Sequence, residues 1–165
     1  MKVTDKFIFF WTGKDVYSNF YYSPFKHQGI LFKWSEQAVM WRKAKLFGAD
    51  KIAEKILKAQ TPKECKDLGR SREIAFDEGV WLSHREEVYW DVLYDKFSTP
   101  KLKQQILSTG DKILAEASPY DKIWGIGLSE SDKRAENPSE WLGENLLGQV
   151  LMRVREDLRK FQGDK

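Results

Sequence analysis

Apolar residues recur along this chain with two different periods, and each change of period marks an expected element. The unbroken aromatic and β-branched run from Lys6 to Trp11, ended by Thr12-Gly13, predicts a strand. Gly29 to Lys33 predicts a second, shorter one. Helical spacing then takes over. Trp34 to Phe47 reads as a helix, with Ser35 as its N-cap and Glu36 in the first turn, where the positive end of the helix dipole favours a carboxylate. Between Ala49 and Gln60 the apolar positions Ile52, Ala53, Ile56 and Leu57 form one helical face. Thr61-Pro62-Lys63-Glu64 combines an N-cap, a proline at the first helical position and a capping-box glutamate, opening a short helix that stops at Gly69.

Further on, Trp81, Val88, Tyr89, Val92, Leu93 and Phe97 line one stripe of a longer helix beginning at Asp77, and Thr99-Pro100 starts another through Leu107. Ile113 to Ala117 is expected to be extended, and Ser129 to Ser139 to be a loop. Gly143 to Gly148 opens the last helix. Its apolar face is Leu147, Val150, Leu151, Val154, Leu158 and Phe161, which leaves Arg153, Arg155, Arg159 and Lys160 on solvated flanks.

Composition narrows the classes. With 165 residues, 41% of them hydrophobic, the chain suits one buried core, and a single domain over 1–165 is expected. Both charge signs are interspersed, so a net charge of +3 permits an anionic partner without requiring one. One cysteine, Cys65, forms no internal disulfide, and two histidines give no metal-ligand spacing. No metal or cofactor is expected, and a reducing, cytoplasmic location fits. Asp5 and Thr12-Gly13 break the N-terminal apolar run too early for a signal sequence, and no run approaches the roughly 20 residues that span a bilayer.

The candidate chemistry starts with Glu36 and Lys43. Seven residues turn a helix through about 700°, ~20° short of two turns, so an acid and an amine share one face about 10 Å apart along the axis. Ahead of them, the loop Tyr17 to Phe25 holds too many hydroxyl and amide groups for a core strand and too many rings for an ordinary solvated loop, which makes Asn19 and Phe20 candidates to line a pocket. Trp81 and Trp124 are candidates to stack on a planar base, Trp124 the stronger because it stands between Asp121 and the glycines 125 and 127. Arg70 has the fork to hold a phosphate, and the amides around Gly125, Gly127 and Asn145 add donors. Each has an ordinary reading as well: a first-turn acid, a solvated lysine, core tryptophans, a surface arginine.

Taken together and in order, Tyr17-Ser18-Asn19-Phe20, Trp34-Ser35-Glu36-Gln37, Lys43, Leu68-Gly69-Arg70, Glu116 through Gly125 and Gly143-Glu144-Asn145-Leu146-Leu147-Gly148 resemble the YbiA-like, or NADAR, family along nearly the whole chain. The resemblance implies a mainly α fold, α with a few short β-strands, in a single compact multihelical domain. It also implies N-glycosidase activity on one of two substrate classes: ADP-ribosylated guanine, including within DNA, or ribosylamino-pyrimidine phosphate intermediates of riboflavin synthesis. No membrane or protein partner is required. Lys43 is then the nucleophile that forms an imine with the ring-opened sugar, and Glu36, matching the family's glutamate, a candidate proton shuttle; Asp121, by its place before Trp124-Gly125, is a second candidate acid. Some relatives place a phenylalanine directly after the lysine, which raises Lys45 as a rival; nine residues from Glu36 turn about 900° and put Lys45 on the opposite face. A non-catalytic ADP-ribose or nucleotide-binding module and a plain helical interaction domain are the alternatives.

Overall fold

A computed structural model describes residues 1–163, with side chains through 161. Among them are five short strands and six α-helices: β1 (Lys2–Val3), β2 (Phe7–Phe10), β3 (Phe25–His27), β4 (Ile30–Phe32), α1 (Ser35–Leu46), α2 (Asp50–Leu57), α3 (Pro62–Leu68), α4 (Glu78–Ser98), α5 (Pro100–Ser108), β5 (Ile113–Glu116) and α6 (Leu146–Gly163). The fold is mainly α with a few short strands. Two compact units divide it, one formed by residues 1–18 with those from 97 onward and the other by residues 19–96.

In the first unit β2 is flanked by β1, antiparallel, and by β5, parallel in the register Phe7↔Ile113 to Phe10↔Glu116. All four β2 residues are buried, as an unbroken apolar run on a parallel pair should be. The strand stops one residue short of the expected Trp11, because Asp15 Oδ2 accepts the amides of Trp11 and Thr12 at 2.9 and 3.2 Å and closes a turn. Phe7, Phe9, Ala115, Ala117, Ile126, Leu128 and Ala135 make a core against which Trp141 packs. On α6, Leu147, Val150, Leu151, Val154 and Leu158 are buried as expected. Two α6 expectations fail. Phe161 is exposed, and Arg155 is buried, its Nη1 donating to Thr109 Oγ1 at 2.9 Å and to the Lys112 carbonyl at 2.8 Å.

In the second unit β3 and β4 form a hairpin whose two turn residues, Gln28 and Gly29, both have positive φ (51° and 77°), the hand that matches strand twist. The β3 strand escaped the sequence pattern, being only three residues long beside a proline. α1 packs against α2 and α3. Buried Gln37 ties α1 to α2 and to the end of β4, its Oε1 accepting the Lys33 amide at 2.9 Å and its Nε2 donating to the Ile56 carbonyl at 3.0 Å. A second tie links β3, α1 and α4. Arg42 can only donate, so His27 Nε2 accepts from it at 3.0 Å, and the ring proton sits on Nδ1, 2.6 Å from Asp95 Oδ2. Both ring nitrogens of that histidine are engaged in the tie.

Thr61 caps α3 as expected, accepting the Glu64 amide at 3.1 Å, while Glu64 reaches back to the amide of Gln60 rather than of Thr61 itself. Asp77 caps α4 through the Val80 amide at 3.0 Å.

Candidate active site

α1 starts at Ser35 because Trp34 is still extended, at φ −136° and ψ 146°, and no side chain caps it. Ser35 is therefore not the N-cap. Its hydroxyl is fully buried and donates to Asn19 Oδ1 at 2.8 Å, and the Glu36 amide donates to the Asn19 carbonyl oxygen at 3.0 Å. Asn19 thus does from outside the helix what a capping side chain would do from its first residue. Beneath Ser35, the Nζ of fully buried Lys96 lies 3.5 Å from the same hydroxyl oxygen. An ammonium only donates, so Ser35 accepts from it and gives its own proton to Asn19. Burial brings the Lys96 pKa down to about 7.

Glu36, itself buried, and Lys43 both belong to α1. Three influences act on Lys43. Partial burial lowers its pKa most, the Arg70 guanidinium lowers it further, and Glu36 raises it; the balance lies below the usual lysine value. Arg70 reaches this position because Gly69 ends α3 hard against α1. A Cβ at Gly69 would stand 2.1 Å from Met40 Sδ and 3.2 Å from Met40 Cβ, so any side chain there would have to displace Met40. Lys45 points away from this group: it is exposed and paired with Asp50 at 2.8 Å.

The Lys43 amine lies over two rings, 4.8 Å from the Phe76 centroid and 5.4 Å from that of Trp81. Trp81 was expected here, but Phe76 was not. It lies in the connection before α4, where no periodicity marks it. A signal was nevertheless available. With Asp77 as the cap, Phe76 and Trp81 are the residue before the cap and the fourth helical residue, the two positions that a hydrophobic staple brings together. Phe76 is about half exposed (49%) and meets Phe47 edge-on at 5.4 Å. Phe20 is half-buried, with Lys66 Nζ 5.9 Å above its ring.

The remaining expected residues lie in the first unit, where several have structural duties. Asp121 Oδ1 accepts the amides of Ile123 and Trp124, both at 2.9 Å, and Trp124 is half-buried. Asn145, buried at φ 54°, holds β5 from the side: Oδ1 accepts the Glu116 amide at 3.1 Å and Nδ2 donates to the Leu114 carbonyl at 3.0 Å. Gly125 and Gly127 let the chain press against itself. A Cβ at Gly125 would stand 2.9 Å from the Asp121 carbonyl oxygen, and one at Gly127, where φ is 72°, 3.0 Å from Leu142 Cβ. Among the described residues, the structure brings Asn19, Glu36, Lys43, Arg70 and Trp81 into one unit and Asp121, Trp124, Gly125, Gly127 and Asn145 into the other.

Two clefts in the second unit miss this chemistry. One of about 500 Å³ runs beside Glu64, Asp67 and Ser71, and one of about 320 Å³ lies between Trp41, Lys45 and His84; Lys43 and Glu36 line neither. Among the described residues no group of three His, Cys, Asp or Glu side chains is placed to hold a metal, and no helix is long and apolar enough to cross a membrane.

The model of the family described as the NADAR domain matches residues 9–159, a span that runs through both units. The Caenorhabditis elegans protein irg-1 is 39% identical over 94% of this chain and 81% of its own length. An N-glycosidase of Acanthamoeba polyphaga mimivirus is 36% identical, covering 93% of this chain and 97% of the relative. A chloroplastic riboflavin biosynthesis protein PYRR of Zea mays is 33% identical over 90% of this chain but only 24% of its own length. The NMR structure of the E. coli protein YbiA superposes with a TM-score of 0.80 at 27% identity, covering 99% of this chain and 91% of that one.

Proposed function

The chain belongs to the NADAR domain family, and from that membership we propose that it cleaves the bond between a phosphorylated ribose or ADP-ribose and a base through an imine on Lys43. It is a hydrolase acting on N-glycosyl bonds, an N-glycosidase. The observation that carries the finer reading is the state of Lys43. An amine attacks carbon only when neutral, and burial together with Arg70 holds this one below the ordinary lysine range.

The Lys43 nitrogen bonds to the anomeric carbon as the base leaves with a proton. The ring carbon–oxygen bond then breaks, the ring oxygen takes a proton, and an imine remains. Water adds to the imine carbon and expels the amine, returning Lys43 and releasing the sugar. Glu36 is the proton carrier for these transfers, being a buried carboxylate on the same helix. Asp121 is proposed as a second acid on sequence grounds; with Oδ1 holding two amides, Oδ2 is the oxygen left for a proton. Asn19, Phe20, Arg70, Trp81, Trp124 and the amides near Gly125, Gly127 and Asn145 are proposed to contact substrate, with Arg70 on a phosphate and the tryptophans on the base.

Two substrate classes remain, ADP-ribosylated guanine and a ribosylamino-pyrimidine phosphate, and the riboflavin biosynthesis relative supports keeping the second. One experiment addresses mechanism and substrate together. The protein is mixed with either compound, borohydride is added, and intact mass is measured. A sugar adduct that disappears in Lys43→Ala supports the imine. Base release unaltered in Lys43→Ala overturns it, and tight binding without release points instead to a binding module.

A further inference from the structure

Phe76 has no part in the chemistry assigned above, yet the Lys43 amine lies closer to its ring than to that of Trp81, at 4.8 Å against 5.4 Å. A large aromatic side chain that is 49% exposed, beside a reactive amine and before a helix start, is poorly explained by core packing. The ring meets Phe47 edge-on, and the Lys43 amine lies over its face.

Opposed influences meet at Lys43. Burial and Arg70, from the turn after α3, disfavour the ammonium, while Glu36, from α1 itself, favours it. The two ring faces also favour it, since a cation over an aromatic face is attracted by the ring quadrupole. A planar base and an ammonium compete for the same faces. When a base stacks there, the amine loses the attraction that held its proton.

Resting on the N-glycosidase reading above, we propose that Phe76 is a substrate-contacting ring that stacks on the base, and that with Trp81 it parks Lys43 as an ammonium until the base displaces it. The nucleophile is then released by the part of the substrate that must leave. Water or a stray aldehyde meets a less reactive amine in the empty site.

Two measurements on Phe76→Leu test this, and the idea requires them to move in opposite directions. In the first, the protein without substrate is incubated near neutral pH with D-ribose 5-phosphate, an aldose carrying no base, and cyanoborohydride. Lys43 and the aldehyde lose water to form an imine, which takes hydride from the reagent, and peptide mapping follows labelling at Lys43 with exposed Lys45 as internal reference. Losing one ring should raise Lys43 labelling about two- to tenfold, the range that a single cation–π contact implies. In the second, kcat/KM for the base-bearing substrate should fall roughly tenfold or more, mainly through KM, because stacking is lost. Thermal unfolding checks that the fold is kept. Labelling that stays level or drops overturns the parked ammonium, and an unchanged KM overturns the stacking. If the unaltered protein turns over neither substrate, the N-glycosidase reading fails, whereas the labelling arm still decides whether the rings hold the amine.

Discussion

Replacing Lys96 with methionine removes a charge from a site with no solvent exposure while keeping most of the side-chain volume. In the folded protein burial lowers the Lys96 pKa from 10.5 to about 7. The sign follows from proton counts. Between those values the unfolded chain holds the proton and the folded chain does not, so raising the pH through that window stabilises the fold. Below about 7 both states are protonated and the full cost of the buried charge is present. The fall from 10.5 to about 7, at 1.36 kcal/mol per pH unit, is on the order of 5 kcal/mol, comparable with the whole stability of many domains. Urea unfolding followed by tryptophan fluorescence, on both proteins from about pH 6 to about pH 10, isolates this group, because the other titrations cancel in the difference. The unfolding free energy of the unaltered protein minus that of Lys96→Met should be flat below about 7, then climb by roughly 1.4 kcal/mol per pH unit. A difference that stays flat from 7 upward would refute the reasoning, since it would mean that burial does not penalise the ammonium.

Arg70→Gln removes a positive neighbour that holds the Lys43 pKa down. The Lys43 pKa should therefore rise and the acidic limb of the kcat/KM profile move to higher pH, with KM for a phosphorylated substrate also increased. Asn145→Ala leaves the Glu116 amide and the Leu114 carbonyl without their side-chain partner and puts alanine at φ 54°. It should cost on the order of 3–6 kcal/mol in chemical denaturation, and a loss under 1 kcal/mol would contradict the side-on support of β5. Gly69→Ala drives a methyl into Met40 Sδ and Cγ, at 2.1 and 2.9 Å. A lowered Tm worth about 1–3 kcal/mol is expected, together with a loss of activity that Arg70 displacement explains; unchanged values for both would show that Met40 simply swings aside.

Much of this molecule is written locally in its residues. The period of apolar positions, the Thr61-Pro62 start, the Asp77 cap and the seven-residue spacing of Glu36 and Lys43 concern neighbours within a few turns, and the helices stand where those signals put them. Where a long-range partner intervened, the local reading failed. Ser35 has the chemistry of a cap, but Asn19, sixteen residues earlier, takes its hydroxyl. Arg155 falls on a flank of the α6 pattern, yet Thr109, 46 residues away, draws it inside.

The same division runs through the candidate site. Local spacing alone determined that an acid and an amine share one helix face. Only the tertiary structure decided what surrounds that amine: Arg70, brought up by the glycine at the end of α3, and Phe76 and Trp81, delivered by the start of α4. Helical phase depends on the backbone and is readable along the chain. The proton affinity of an amine depends on desolvation and on charges and rings within a few ångströms, and those neighbours exist only once the chain has folded.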